Sequence, residues 1–369
     1  MTQSRTKALE FAAGREPTAA NLRRIGEATS DEDARWAFGQ WALRQRARSK
    51  FALADQMLFD RESLEMASHE AVAAYHASRF PVSELIGDLT CGIGADLIAL
   101  ARRGPTVGFE IDAERAEYAR HNLSVHGLEA EIVVGDAMAA SWPFEFAFVD
   151  PSRRIAGRRT LDLDQFAPNP REIAERFRGL RLAAMKLSPM LSDRDLESFS
   201  GHLEFVSFRR ECREALLWYG LGSGRAAVLA ESGETLPAGG DPPATALIRR
   251  YLFEGDPAAI RAHCLGELCM HHQLSALGDS NGYLTGDSPV ESAWLTTYEV
   301  LADHAADLKR TRSALKSLGG GTPVVKSRGA AVDVDRLRKD LRGEGEDLYV
   351  VVYPVGSSLR HAICRKRAE

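Results

Sequence analysis

The apolar positions change period along the chain. Up to about residue 80 they recur at helical spacing, at Leu22, Ile25 and Ala28 and, less regularly, at Trp36, Phe38, Trp41 and Leu43. Pro17 is the only proline in that stretch, and no strand-like run stands out. This predicts a helical N-terminal domain over 1–80. From about residue 82, short apolar runs alternate with helical ones: SELIGDLT, ADLIALARRG, TVGFEID, ERAEYARHNLSVHG, EIVVGDA and FEFAFVD. Strand and helix in alternation predict a parallel sheet of the α/β class over 81–232. LRLAAMKLSP adds a further strand, and HLEFVSF with EALLWYG is expected to close the sheet as an antiparallel pair.

The polar segment ESGETLPAGGDPP at 231–243 reads as a linker, rich in Gly and Pro and without periodicity. Beyond it, 244–369 is expected to form a small α+β domain. DPAAIRAHCLGELCMHHQL reads as a helix with Asp256 as N-cap and Pro257 at its first position. WLTTYEVLADHAADLKRTRSALKSLGGG reads as one or two more helices, stopped by glycines. The tail reads as strand (TPVVKSRG), helix (VDRLRKDLR) and two strands (DLYVVVYPV, RHAICRKR).

Composition narrows the class. The 369 residues are 44% hydrophobic and 27% charged, as in globular proteins of two or three domains. No apolar run is long enough to span a bilayer, and the N-terminus lacks the apolar core of a signal peptide. Five scattered cysteines without framework spacing predict reduced thiols and a cytoplasmic location. The net charge of −5 runs against a nucleic-acid binder, which is usually basic, so RNA contact would need a local patch. LRQRARSK at 43–50 is such a stretch; it reads first as a solvated helix face, with phosphate contact as the alternative.

The chemistry concentrates at predicted strand ends. Asp88-Leu89-Thr90-Cys91-Gly92-Ile93-Gly94-Ala95-Asp96 lies between a strand and a helix, where glycines let a backbone approach a ligand. Glu110 ends the next strand, where an acid can accept both ribose hydroxyls of a nucleoside. The third glycine of a dinucleotide fingerprint is replaced by Leu97, and Asp88 would repel a pyrophosphate. No Gly-Lys-Ser/Thr is present, which excludes a P-loop. A cationic nucleoside suits the acids better.

With Asp136 in VVGDA, these features resemble the class I S-adenosylmethionine-dependent methyltransferases. The resemblance implies a Rossmann-like core and S-adenosylmethionine as cofactor, bound by Asp88, Thr90, Gly92, Gly94, Glu110, Ile111, Asp136 and Ala137. Across the chain, DLTCGIGAD, FVDPSRR, MKLSP, ECREALLW, YLTGDSPVESAWLTTYEVL and VVKSRG look like bacterial class I methyltransferases with a THUMP-like C-terminal domain. THUMP domains are otherwise associated with RNA modification, especially of tRNA.

Asp150-Pro151-Ser152-Arg153 follows the fourth strand and resembles the Asp/Asn-Pro-Pro-aromatic motif of amino-methyltransferases. There the side-chain oxygen and a backbone carbonyl hold an exocyclic amine. This chain departs from the pattern at Ser152 and Arg153. Arg153 can stack through its guanidinium plane or bind phosphate or carboxylate. Arg154, Arg158, Lys186 and Ser188 are the expected substrate contacts, with ion pairing of the Arg loop to Asp162 and Asp164 as the alternative. His263, Cys264, Cys269, His271 and His272 match no familiar zinc spacing, so no metal is expected, and Cys91 reads as a packed thiol.

The expectation is a methyltransferase acting on a nitrogen of a nucleotide in tRNA or rRNA. The alternatives are a methyltransferase for a small metabolite or a protein, and a non-catalytic RNA-binding protein that retains the fold.

Overall fold

The computed structural model describes residues 1–155 and 158–367, with the side chains of Arg154 and Ile155 outside the description. The chain divides into two compact units, Met1–His202 with Ala215–Ser223, and Leu203–Glu214 with Gly224–Glu369. These are not the three segments expected from the sequence. The helical N-terminus and the parallel sheet share one unit, and 203–214 and 224–237 belong with the C-terminal region.

The first unit opens with helices α1 (Gln3–Ala12), α2 (Ala19–Ala28), α3 (Asp31–Ala47), α4 (Arg61–Met66) and α5 (Glu70–Ser78). Thr2, Thr18, Ser30 and Asp60 cap the first four, each side chain accepting a backbone N–H of the first turn. Helix α3 carries Asp31, Glu32 and Asp33 in its first turn and Arg44 and Arg46 in its last, in line with the helix dipole. The basic stretch at 43–50 is largely occupied within the fold. Arg44 is buried with Nε on the Met57 carbonyl (2.8 Å), Arg48 pairs with Asp55 (2.8 Å), and Lys50 Nζ reaches the carbonyls of Leu64 and Ala67.

The sheet follows with β1 (Ile86–Asp88), α6 (Ala95–Ala101), β2 (Thr106–Glu110), α7 (Ala113–Val125), β3 (Glu131–Val134), β4 (Phe146–Val149), the short β5 (Arg154–Ile155) and β6 (Arg158–Arg159), α8 (Pro170–Phe177), β7 (Leu182–Leu187) and α9 (Asp193–Glu197). Strands β7, β4, β1, β2 and β3 lie side by side in that order, all parallel. An antiparallel strand borders the parallel set: residues 215–219 of β9 (Glu211–Tyr219), which follows β8 (His202–Phe208), run antiparallel to β7.

A shared core ties the early helices to this sheet. Ala8, Leu9, Ile25, Phe38, Met57 and Phe59 pack in one buried cluster with Ile93, Leu97, Ala119 and Leu123. Asn122 of α7, fully buried, pins that junction. Its amide oxygen accepts the Leu58 N–H (2.7 Å), and its nitrogen donates to the carbonyls of Leu58 and Ile93 (both 2.9 Å).

The second unit adds β10 (Gly224–Leu229), β11 (Thr235–Pro237), β12 (Ala244–Thr245), β13 (Tyr251–Gly255), α10 (Pro257–Arg261), α11 (Leu265–His272), β14 (Ser275–Leu277), β15 (Tyr283–Gly286), β16 (Leu295–Ala305), α12 (Leu308–Ser317), β17 (Val324–Ser327), α13 (Val334–Asp340), β18 (Tyr349–Val355) and β19 (Ser358–Lys366). Its eight-stranded sheet has the order β12-β14-β15-β13-β16-β19-β18-β17.

Three expectations change in this unit. The segment expected as a linker contains β11, paired antiparallel with β10. It is held in the unit by Trp294, whose Nε1 donates to Glu234 (2.6 Å). The helix expected from residue 256 is two short helices, interrupted at His263 in the left-handed region (φ +60°), although Asp256 and Pro257 do cap its start. Residues 295–305 form a strand, and only 308–317 is helical. Thr296, Thr297, Tyr298 and Val300 favour the pleated form, and β13 and β19 supply partners on both sides.

Replacing Asn122 by Leu keeps the branched shape, adds some volume, and orphans two buried carbonyls and one N–H. The expected outcome is a loss of at least about 2 kcal/mol in urea unfolding, with a lowered Tm.

Candidate functional site

Strands β1 and β4 are neighbours, and the connections that leave them run to opposite sides of the sheet. Open α/β sheets bind ligands at such a switch point, outside the carboxyl ends of the strands. There β1 ends in Asp88, and the Leu89 N–H donates to the Phe148 carbonyl (2.9 Å). The Gly loop then turns into α6, with Gly94 as its N-terminal cap at φ +90°, a conformation that suits glycine. At Gly92 (φ +54°) a Cβ would meet no atom within 4 Å, so this face of the loop is open to a ligand.

Four carboxylates gather here, each with a different environment. Glu110 is buried and accepts the Asp112 N–H (2.8 Å). Asp96 accepts from Ser68 Oγ (2.9 Å) and His76 Nδ1 (2.8 Å). Burial pushes the Asp96 carboxyl up, but its bond with His76, the charges of His76 and Lys186 and the Ser68 hydroxyl outweigh this and hold it below the usual range. Asp150 meets Lys186 Nζ at 2.7 Å. Asp88 accepts the Thr90 N–H through Oδ1 (3.2 Å), whereas its buried Oδ2 has no hydrogen-bond partner among the described residues. Burial first, then the charges of Asp96, Asp150 and Glu110, raise the Asp88 carboxyl well above its usual range against the Thr90 bond. An orphaned acid among acids fits a ligand that brings positive charge, as the sulfonium and ammonium of S-adenosylmethionine do.

The strand-end motif meets this loop directly. The Asp150 N–H donates to Thr90 Oγ1 (2.8 Å), so Thr90 joins the two strand ends. Pro151 is buried. Ser152 exchanges backbone hydrogen bonds with Ala167 (2.7 and 2.9 Å), and Arg153 donates to Ser188 Oγ (2.6 Å). Lys186 and Ser188 thus lie on the same edge as Asp150, each holding a residue of the motif.

The remaining expected positions are less enclosed. Ile111 is exposed, as is Val134 at the end of the neighbouring β3, which the sequence did not single out. Asp136 is exposed and caps the following turn through the Met138 N–H (2.8 Å), with Ala137 buried behind it. The Gly135 N–H donates to the Glu110 carbonyl (2.9 Å), which brings this turn to the end of β2. Arg158 is exposed on β6, opposite Ile155. The Arg154 side chain lies outside the described residues. Asp164, a suggested partner of the Arg loop, pairs with Arg171 (3.6 Å). Cys91 is buried, and burial with the charges of Asp88 and Glu110 pushes its thiol well up, as for a packed residue. Among the described residues no cluster of His, Cys, Asp or Glu is placed to hold a metal ion, and no helix is long and apolar enough to cross a membrane.

Comparison with known proteins addresses the family and the fold. A family model described as THUMP domain-like matches residues 295–366. An uncharacterised S-adenosylmethionine-dependent methyltransferase of Mycobacterium tuberculosis, from strains CDC 1551 and H37Rv, is 33% identical over 351 residues. The match covers 89% of this chain and 96% of the relative. A crystal structure from Porphyromonas gingivalis W83, assigned to the methyltransferases, has a TM-score of 0.82 at 20% identity, covering 99% of this chain and 98% of that one. That likeness concerns the fold.

Asp88→Asn removes a charge that the ligand-free protein leaves uncompensated. The expected result is a higher Tm without ligand and S-adenosylmethionine binding weakened by roughly 1.5–3 kcal/mol in calorimetry. In the parent protein the raised Asp88 carboxyl is protonated below its titration, and only its ionised form attracts a cation. Binding is therefore expected to release a proton and to tighten as pH rises through that titration, which calorimetry in buffers of different ionisation heat reads directly.

Proposed function

The chain belongs to the S-adenosylmethionine-dependent methyltransferases, and we propose that it methylates a nitrogen of a nucleotide in tRNA or rRNA in the cytoplasm. When bound, S-adenosylmethionine supplies an electrophilic methyl group on a sulfonium. In this reading Asp88, Thr90, Gly92 and Gly94 hold its methionine part, Glu110 and Ile111 its ribose, and Asp136 and Ala137 border its adenine.

The observation that carries the reading is the position of Asp150. It leaves β4 at the switch point, tied to the Gly loop through Thr90 and to β7 through Lys186. The Asp150 carboxylate and the Pro151 carbonyl would accept hydrogen bonds from the acceptor nitrogen and turn its lone pair toward the methyl group. With a donor already so reactive, in-line positioning is the main catalytic task. Ser152 keeps the loop turned through its backbone bridge to Ala167, and Arg153 takes the place of the usual stacking aromatic. Arg153, Arg154 and Arg158, with Lys186 and Ser188, suit an anionic substrate. The THUMP-like match supports RNA as that substrate. The net charge of −5 and the missing aromatic favour the second reading, a metabolite or protein acceptor.

Asp150→Ala is expected to abolish turnover while S-adenosylmethionine affinity stays within a few-fold. Mass spectrometry of RNA nucleosides with and without the gene is expected to show one methylated nucleoside lost. Unchanged nucleosides, together with intact cofactor binding, would overturn the RNA assignment in favour of the second reading.

A further inference from the structure

We infer that Ser68, Asp96 and His76 form a buried line of positioning residues that fixes Lys186 on Asp150 and keeps the Asp150 carboxylate ionised. The inference rests on the reading of Asp150 as the group that orients the acceptor. The four links are short: His76 Nδ1 to Asp96 Oδ1 (2.8 Å), Ser68 Oγ to Asp96 Oδ2 (2.9 Å), Lys186 Nζ to Ser68 Oγ (3.1 Å) and Lys186 Nζ to Asp150 Oδ2 (2.7 Å). His76, Ser68 and Asp96 are all buried, and the His76 ring stacks on Phe148 of β4 (centroids 5.1 Å apart).

The Asp96 carboxyl is held below its usual range, and with it ionised one arrangement satisfies every link: His76 Nδ1–H and Ser68 Oγ–H both donate to Asp96. The Ser68 hydroxyl, its hydrogen directed at Asp96, accepts from the Lys186 ammonium. Lys186 then donates also to Asp150. The line thus has a direction, from donors toward two carboxylates, and five elements contribute to it: the 67–69 turn, α5, α6, the β4 end and β7.

The surroundings explain why Asp150 needs this. Asp88 from β1, Glu110 from β2 and Asp96 from α6 are acids of the same site. Neighbouring acids favour protonation of a carboxylate, and a protonated Asp150 is a poorer acceptor for a substrate N–H. The ammonium opposes that, and Ser68 with Asp96 holds the ammonium in place.

The test follows the Asp150 carboxyl by carbon-13 NMR in the full chain, assigned with Asp150→Asn, alongside turnover and S-adenosylmethionine affinity. Lys186→Met is expected to raise the Asp150 titration by roughly 1–3 pH units. Ser68→Ala, which removes one hydroxyl and no charge, is expected to raise it less. It should lower kcat on the order of tenfold, with KM and cofactor affinity held. Ser68→Thr, which restores the hydroxyl, should recover both. His76→Phe keeps a ring on Phe148 and loses the donor, so it should behave as Ser68→Ala does. Ser68→Ala decides the matter where His76→Phe does not fold. An Asp150 titration and kcat unchanged in Ser68→Ala would overturn the inference. A titration that moves while Asp150→Ala keeps full turnover would uphold the line as the control of this carboxylate and remove the reading of Asp150 as catalytic.

Discussion

Carboxylates crowded onto one sheet edge set the terms for this site. Asp88, Asp96, Glu110 and Asp150 come from four elements and meet where β1 and β4 end. Like charges at such range oppose ionisation, and burial opposes it further. The protein answers each acid in its own way. Asp96 receives a histidine and a serine, Asp150 a lysine, and Glu110 a backbone amide. Asp88 receives a backbone amide on one oxygen and nothing on the other among the described residues. The gap in compensation falls at the start of the loop whose Gly92 has open space where a Cβ would stand.

That arrangement separates two tasks within a few residues. In the proposed reading the β1 and β2 ends, with Asp88 and Glu110, present acids to the cationic nucleoside. The β4 and β7 ends, with Asp150, Arg153, Lys186 and Ser188, present a carboxylate fixed by a lysine and an arginine fixed by a serine. Thr90 belongs to both, since its backbone supports Asp88 and its hydroxyl receives the Asp150 N–H. A shift in one strand end is therefore felt by the other.

The parts of this site that were legible in the sequence are those coded locally. A glycine pair after a short apolar run, an acid ending the next run and Asp-Pro ending the fourth each carry a signature within ten residues. Ser68 and His76 carry none, and Asp96 enters only as the last residue of the Gly-rich stretch. His76 sits on an otherwise apolar helix face, and Ser68 precedes a helix. Ser68 acquires meaning from Lys186, 118 residues away, a relation that no period reveals. The extended form of residues 295–305 has a related cause. Their alanines, leucines and acids permit a helix, and only pairing with strands before and after them selects the extended form. The division into units escaped the sequence as well, because Gly and Pro in 231–243 mark a turn and a short strand there as well as they would mark a linker.

Asn122 has a consequence for the minimum size of the catalytic unit. One buried amide satisfies Leu58, in the segment after α3, and Ile93, in the Gly loop itself. Met57, Phe59 and the early helices pack in the same cluster as Ile93 and Leu97. A fragment beginning at residue 81 would keep every strand of the parallel sheet, yet it would bare that cluster and leave the loop's carbonyl anchor half satisfied. The helices before the sheet are thus part of the foundation of the loop, and a trimmed enzyme would lose its ligand site before it lost its sheet.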